Sequence, residues 1–126
     1  MDEQVTVFET VGGAPFFTSM IDRFFELVDA DPVVRGLYPD DLTESRRTTA
    51  SFLCQMWGGP TDYSLERGQP RLRMRHMPFA IGQLERDRWV EHMLTALGEM
   101  GLDPELEEAM VNYFETASTH MINQPE

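Results

Sequence analysis

The sequence predicts an all-α fold, and three observations predict it. Apolar residues recur at three- and four-residue steps through every long segment. Prolines stand where a helix opens, at Pro32, Pro70 and Pro104, or where one closes, at Pro39, Pro60 and Pro78. No segment sustains the strict alternation of a half-buried strand. The 126 residues, 41% of them hydrophobic, suit one compact domain over residues 1–126 and are too few for two.

Each element follows in order. Phe17, Met20, Ile21, Phe24, Phe25 and Val28 share one face of a helix over residues 14–30. Asp31-Pro32 reads as an N-cap and first turn of a short helix that Pro39 stops, with Tyr38 at the corner. A third helix begins at Thr43 or Ser45 and runs to Trp57, with Thr49, Phe52, Leu53 and Met56 inward; Gly58-Gly59-Pro60 ends it. Residues 61–68 show no period and read as a loop with at most a turn of helix. Pro70 opens a short helix through Met77, which Pro78 closes. Trp89, Met93, Leu97 and Met100 mark a long helix from about residue 85 to the cap at Gly101. Asp103-Pro104 starts the last, with Leu106, Met110, Tyr113, Phe114, Ala117 and Met121 as its buried stripe. The first residues and the tail from Asn123 to Glu126 are expected to fray.

Charge and composition exclude several classes. A net charge of −12 repels nucleic-acid backbones and anionic membranes, and no apolar run is long enough to span a bilayer. The acidic start, Met1 to Gln4, is unlike a secretory signal, so a cytoplasmic location is expected. A single cysteine, Cys54, rules out an internal disulfide or a thiolate metal cage and reads as packing. All ten basic residues are arginine, which removes lysine Schiff-base chemistry. Four of them, Arg67, Arg71, Arg73 and Arg75, fall within nine residues of an otherwise acidic chain and call for an anion nearby.

The short helix carrying His76 is bracketed by prolines and buries little by itself, so something must hold it. A haem meets that need: apolar faces for core side chains, an iron that takes an imidazole, and two carboxylates that want cations. His76 offers the imidazole, its other ring nitrogen held by a backbone carbonyl or similar acceptor. Arg75, Arg73 and Arg67 offer the cations, with Arg75 first.

The run Trp57-Gly58-Gly59-Pro60, then Tyr63-Ser64, then Pro70 to Phe79 with His76 inside it, resembles the group II truncated haemoglobins. The resemblance continues through Glu85-Arg86-Asp87-Arg88-Trp89 and begins at Val11-Gly12-Gly13, covering nearly the whole chain in order. It implies a two-over-two helical sandwich around haem b. Carried over residue by residue, it makes His76 the iron ligand and Trp89 a donor over the ligand site. Tyr38, Ser45 and Thr49 complete the distal pocket with Phe25, which stands where such proteins usually keep a tyrosine. Phe52, Leu53, Trp57, Tyr63, Leu72, Arg75, Phe79 and Met93 are expected against the haem with His76 and Trp89. Thr49 is open between a hydrogen bond to the ligand and one to its own helix backbone.

The function so implied is binding of dioxygen, nitric oxide, carbon monoxide or another diatomic at a five-coordinate iron. Nitric oxide oxidation or peroxidase-type turnover remains open beside it, and the alternative is a gas sensor or electron-transfer partner without turnover. An unidentified reductase and a homodimer are the further partners considered.

Overall fold

The computed structural model describes residues 5–124, and among them it contains eight helices and no strand. In order these are α1 (Val7–Thr10), α2 (Ala14–Asp29), α3 (Pro32–Arg35), α4 (Thr43–Met56), α5 (Asp62–Arg67), α6 (Leu72–His76), α7 (Gln83–Gly98) and α8 (Pro104–His120). No helix of the described residues is long and apolar enough to cross a membrane.

Helix α2 is the hub. Its six expected inward residues, Phe17, Met20, Ile21, Phe24, Phe25 and Val28, are all fully buried, and it packs against both α4 and α7. Helix α7 in turn packs on α8. Trp57 ties the layers together: it stacks on Phe17 of α2 and meets Tyr113 and Phe114 of α8 edge-on. Two helices therefore lie over two, α2 and α4 above α7 and α8.

Short polar devices fix the corners. Asp31 caps α3 through the Val33 N–H at 2.9 Å and also accepts from Arg88 (3.0 Å) and pairs with His92 (2.6 Å), pinning the start of α3 to α7. The Arg35 guanidinium donates to the carbonyls of Tyr38, Pro39 and Asp40, which holds the corner after α3. Asp103 caps α8 at the Glu105 N–H, and the Glu85 carboxylate caps α7 at the Gly82 N–H, 2.7 Å away.

Five expectations need correction. Residues 61–68 are not a loop: α5 spans six of them, held to α4 by Gln55 against Ser64 (2.7 and 2.9 Å) and by Arg47 against Glu66. Its long-range anchors leave no periodic trace in so short a segment. Helix α6 opens at Leu72, later than Pro70, because Arg71 adopts a left-handed conformation (φ 43°) that interrupts the turn. Met56 is exposed, since Trp57 fills the core beside the last turn of α4. Helix α1 was not anticipated; Thr6 caps it, and the Phe8 N–H bonds the Trp57 carbonyl at 2.9 Å. Asn123 is not frayed: its side chain accepts from the Ile81 N–H (2.9 Å) and donates to the Phe79 carbonyl (2.7 Å). Met1 to Gln4, Pro125 and Glu126, where loose ends were expected, lie outside the described residues.

Candidate haem site

A cleft of about 320 Å³ opens between α4, α6, α7 and α8. Its walls are mainly apolar: Leu53 and Phe52 from α4, Leu72 from α6, Met93 from α7, Phe114 and Ala117 from α8, and Met121 just past its end. These are the residues that the helical periods turn inward, so amphipathic packing leaves a lined gap between the two layers.

His76 lines this cleft at the end of α6. Its Nδ1 lies 2.6 Å from the Leu72 carbonyl one turn earlier, a contact that requires the proton on Nδ1. Nε2 is then the ring nitrogen with a free lone pair, the state in which an imidazole ligates a metal.

A second polar feature comes from two other elements. Trp89, in the second turn of α7, donates its Nε1–H to the Tyr38 oxygen at 3.0 Å, and both side chains line the cleft. Burial pushes the Tyr38 phenol up to about 12 against the lowering effect of that bond, so the hydroxyl keeps its proton. That O–H has no acceptor among the described residues. Ser45, Thr48 and Thr49 line the same cavity; Thr48 returns its hydroxyl to the Glu44 carbonyl at 2.9 Å, whereas Thr49 makes no side-chain hydrogen bond among the described residues. Thr49 thus leaves its backbone alternative unused.

Three guanidinium groups reach the cleft. Arg75 donates through Nε to the Pro70 carbonyl at 2.7 Å and through Nη2 to Arg67 and Gln69, lying over the Tyr63 ring; its Nη1 hydrogens stay unused. Arg67 lines the mouth and is exposed. Arg86, which the sequence reading did not single out, lines the cleft with a buried Nε–H that has no partner among the described residues. Its signal was the Glu85-to-Trp89 run, where one arginine of an i−3 pair must share the face of Trp89. Arg73 is not at the cleft: it donates to the His120 and Ile122 carbonyls and closes the end of α8.

Of the expected haem neighbours, Phe52, Leu53, Tyr63, Leu72, Arg75, His76, Phe79, Trp89 and Met93 converge on the cleft. Trp57 does not, because the α2–α8 seam takes its ring. Of the expected distal set, Tyr38, Ser45, Thr49 and Trp89 converge, and Phe25 does not: its ring sits edge-on to Tyr38, 5.1 Å between centroids, with Tyr38 on the cavity side. The donor set nonetheless fits a haem, with apolar walls for the macrocycle, one imidazole nitrogen free, and unused or unpartnered guanidinium N–H groups for anionic carboxylates.

Comparison with known proteins agrees with this arrangement. A family model described as bacterial-like globin matches residues 6–123. The chain is 38% identical over 114 residues to the group 2 truncated hemoglobin YjbI of Bacillus subtilis, covering 90% of this chain and 86% of that protein. It superposes on a thermostable hemoglobin from the actinobacterium Thermobifida fusca with a TM-score of 0.94 at 46% identity, over 97% of this chain and 100% of that one. The group II 2-on-2 hemoglobin of Agrobacterium tumefaciens gives a TM-score of 0.92 at 34% identity, over 98% of both chains. By sequence, by helix order and by its two-over-two layers, the chain belongs to the bacterial-like globin family, among the group II truncated haemoglobins.

Proposed function

We propose that the protein binds dioxygen or a similar diatomic reversibly at a haem iron that His76 would hold, with Tyr38 as the principal donor to the bound ligand. Haem b, the cofactor of the globin family, would supply the ferrous iron that takes the diatomic. The remaining work falls to side chains. The Leu72 carbonyl orients the His76 ring, fixes its tautomer and raises the basicity of Nε2. Leu53, Met93 and Phe114 exclude water from the cavity walls. Trp89 spends its single N–H on Tyr38, so the Tyr38 O–H is left to point at a ligand. Thr49 and Ser45 add small hydroxyls on the α4 side. Arg67, Arg75 and Arg86 are the candidates for the carboxylates.

The observation that carries this reading is the anchored imidazole in the cleft. Its test is the spectrum of the reconstituted ferrous protein and its carbonmonoxy form. A five-coordinate ferrous spectrum is expected, with the iron–imidazole stretch in resonance Raman lost in His76→Ala and restored by added imidazole. An unchanged stretch in that variant would overturn the assignment.

Retention of the ligand by donors suits reaction more than bulk delivery. Nitric oxide oxidation is the turnover we favour, and it requires fast consumption of nitric oxide by the oxygenated protein; slow consumption would leave storage as the role.

A further inference from the structure

We infer that the outer face of α6 and its flanks is the docking surface for an acidic one-electron donor protein that keeps the haem iron ferrous. The inference rests on the haem reading above. Two independent observations meet on this face.

The first is charge. Residues 67–84 hold four arginines and no acidic residue, whereas the rest of the chain holds all 22 acids. The six arginines elsewhere, Arg23, Arg35, Arg46, Arg47, Arg86 and Arg88, each pair with a carboxylate. Arg67, Arg71, Arg73 and Arg75 pair with none among the described residues; Arg73 and Arg75 bind only backbone carbonyls. Arg71 and Arg73, which are not candidates for the haem carboxylates, therefore leave a local positive charge uncancelled on a chain of net charge −12.

The second is exposed apolar surface. Of the seven large hydrophobic side chains left exposed among the described residues, five lie at or beside this segment: Leu65, Met74, Met77, Phe79 and Leu84. Met74 and Met77 are 56% and 54% exposed and are not among the cleft-lining residues, so a haem would not cover them. Flexible methionines framed by arginines are the composition of an adaptable binding surface with a cationic rim.

Charge selects the occupant. An anionic bilayer is repelled by the rest of the molecule, and a two-fold contact with a second copy would set eight arginines face to face. An acidic protein meets no facing arginines, and its smaller footprint can stay on the cationic segment, where an extended bilayer would also face the acidic remainder of the chain. The same segment carries His76, so a donor seated here lies one short helix from the proposed iron ligand. One electron passes from the donor to the ferric iron; the donor is oxidised, the iron is reduced, and no bond or proton changes hands.

The test uses reduced plant-type [2Fe–2S] ferredoxin, an acidic one-electron carrier, as the probe with haem-reconstituted ferric protein. The second-order reduction rate should fall as ionic strength rises from about 20 to 200 mM. Arg71→Glu with Met74→Glu should lower the low-salt rate by about tenfold or more, and weaken binding of oxidised ferredoxin by calorimetry in parallel. Met77→Glu should act in the same direction, while Glu108→Arg on exposed α8 surface should stay within about twofold of the parent. Dithionite should reduce every variant alike and give the same carbonmonoxy spectrum, which shows each to be folded and loaded. A normal spectrum with a ferredoxin rate indifferent to charge reversal would overturn the docking surface alone. So would loss, in the variant, of vesicle binding or of a dimer with ferredoxin kinetics unchanged. Failure to form any carbonmonoxy spectrum in the parent would remove the haem reading and this inference together.

Discussion

Tyr38 and Trp89 divide one task unequally. The indole N–H is consumed by the phenol oxygen, and the phenol proton is free, so the two are donors in series. A hydrogen bond to a partly charged acceptor contributes about 1.5–3 kcal/mol, and tenfold in rate corresponds to about 1.4 kcal/mol. Tyr38→Phe should therefore speed dioxygen release by about tenfold or more in stopped-flow measurements; release at the parent rate would mean that Trp89 or Thr49 holds the ligand. Phe25→Tyr should change release far less, because Tyr38 stands between that ring and the cavity. A large slowing in Phe25→Tyr would contradict that placement. Asp31 acts at the same scale. His92 first, then the Val33 N–H and Arg88, draw its carboxyl down to about 2 from the ordinary 3.8, against desolvation. A depressed carboxylate adds stability that is complete above about pH 4 and is lost as pH falls through 2. Asp31→Ala should cost about 2–3 kcal/mol near neutral pH and flatten the acid limb of stability, read by urea denaturation at several pH values.

Among the elements, α6 is the least able to stand alone. Five residues long, with no buried side chain and a left-handed residue at its start, it is held through Arg75, Arg73 and Asn123. The opposite case is the junction of α4 with α1. A Cβ on Gly59 would stand 2.6 Å from the Phe8 ring and 2.8 Å from the Cys54 carbonyl oxygen, too close for either to remain in place. Gly59→Ala should lower stability by about 1–3 kcal/mol, measured as a fall in Tm, while leaving dioxygen release unchanged. An unaltered Tm would show that α1 can move aside freely.

Across the whole molecule, stability is uneven by construction. The buried aromatic and aliphatic stripe of α2, with Met93, Leu97, Met110 and Phe114, forms one continuous core, while residues 69–81 contribute almost nothing to it. Apoprotein should therefore show fast amide exchange over residues 69–81 with α2 and α7 protected, and haem should slow the first group by tenfold or more. Equal protection with and without haem would mean the segment is held by the protein alone.

How much was legible in the sequence follows the same division. The long helices announced themselves because burial of one face imposes a period on the residues that form it, and Phe17 to Val28 shows this without help from any other segment. The prolines around His76 marked only a helix too short to support itself; the role expected of the histidine came from the resemblance carried by Pro70 to Phe79. Elements α1 and α5 were not legible: four and six residues are too few for a period, and their anchors, Trp57 for Phe8 and Arg47 for Glu66, lie on other segments. The sequence by itself determined the long helices and their order, and its resemblance to a family supplied the chemistry expected of the cleft. Only the tertiary structure decided that Tyr38 screens Phe25, that Arg73 stays away from the cleft, and that Trp57 packs against the core. Those choices depend on which side chain arrives first where helices cross, and local spacing carries no information about that.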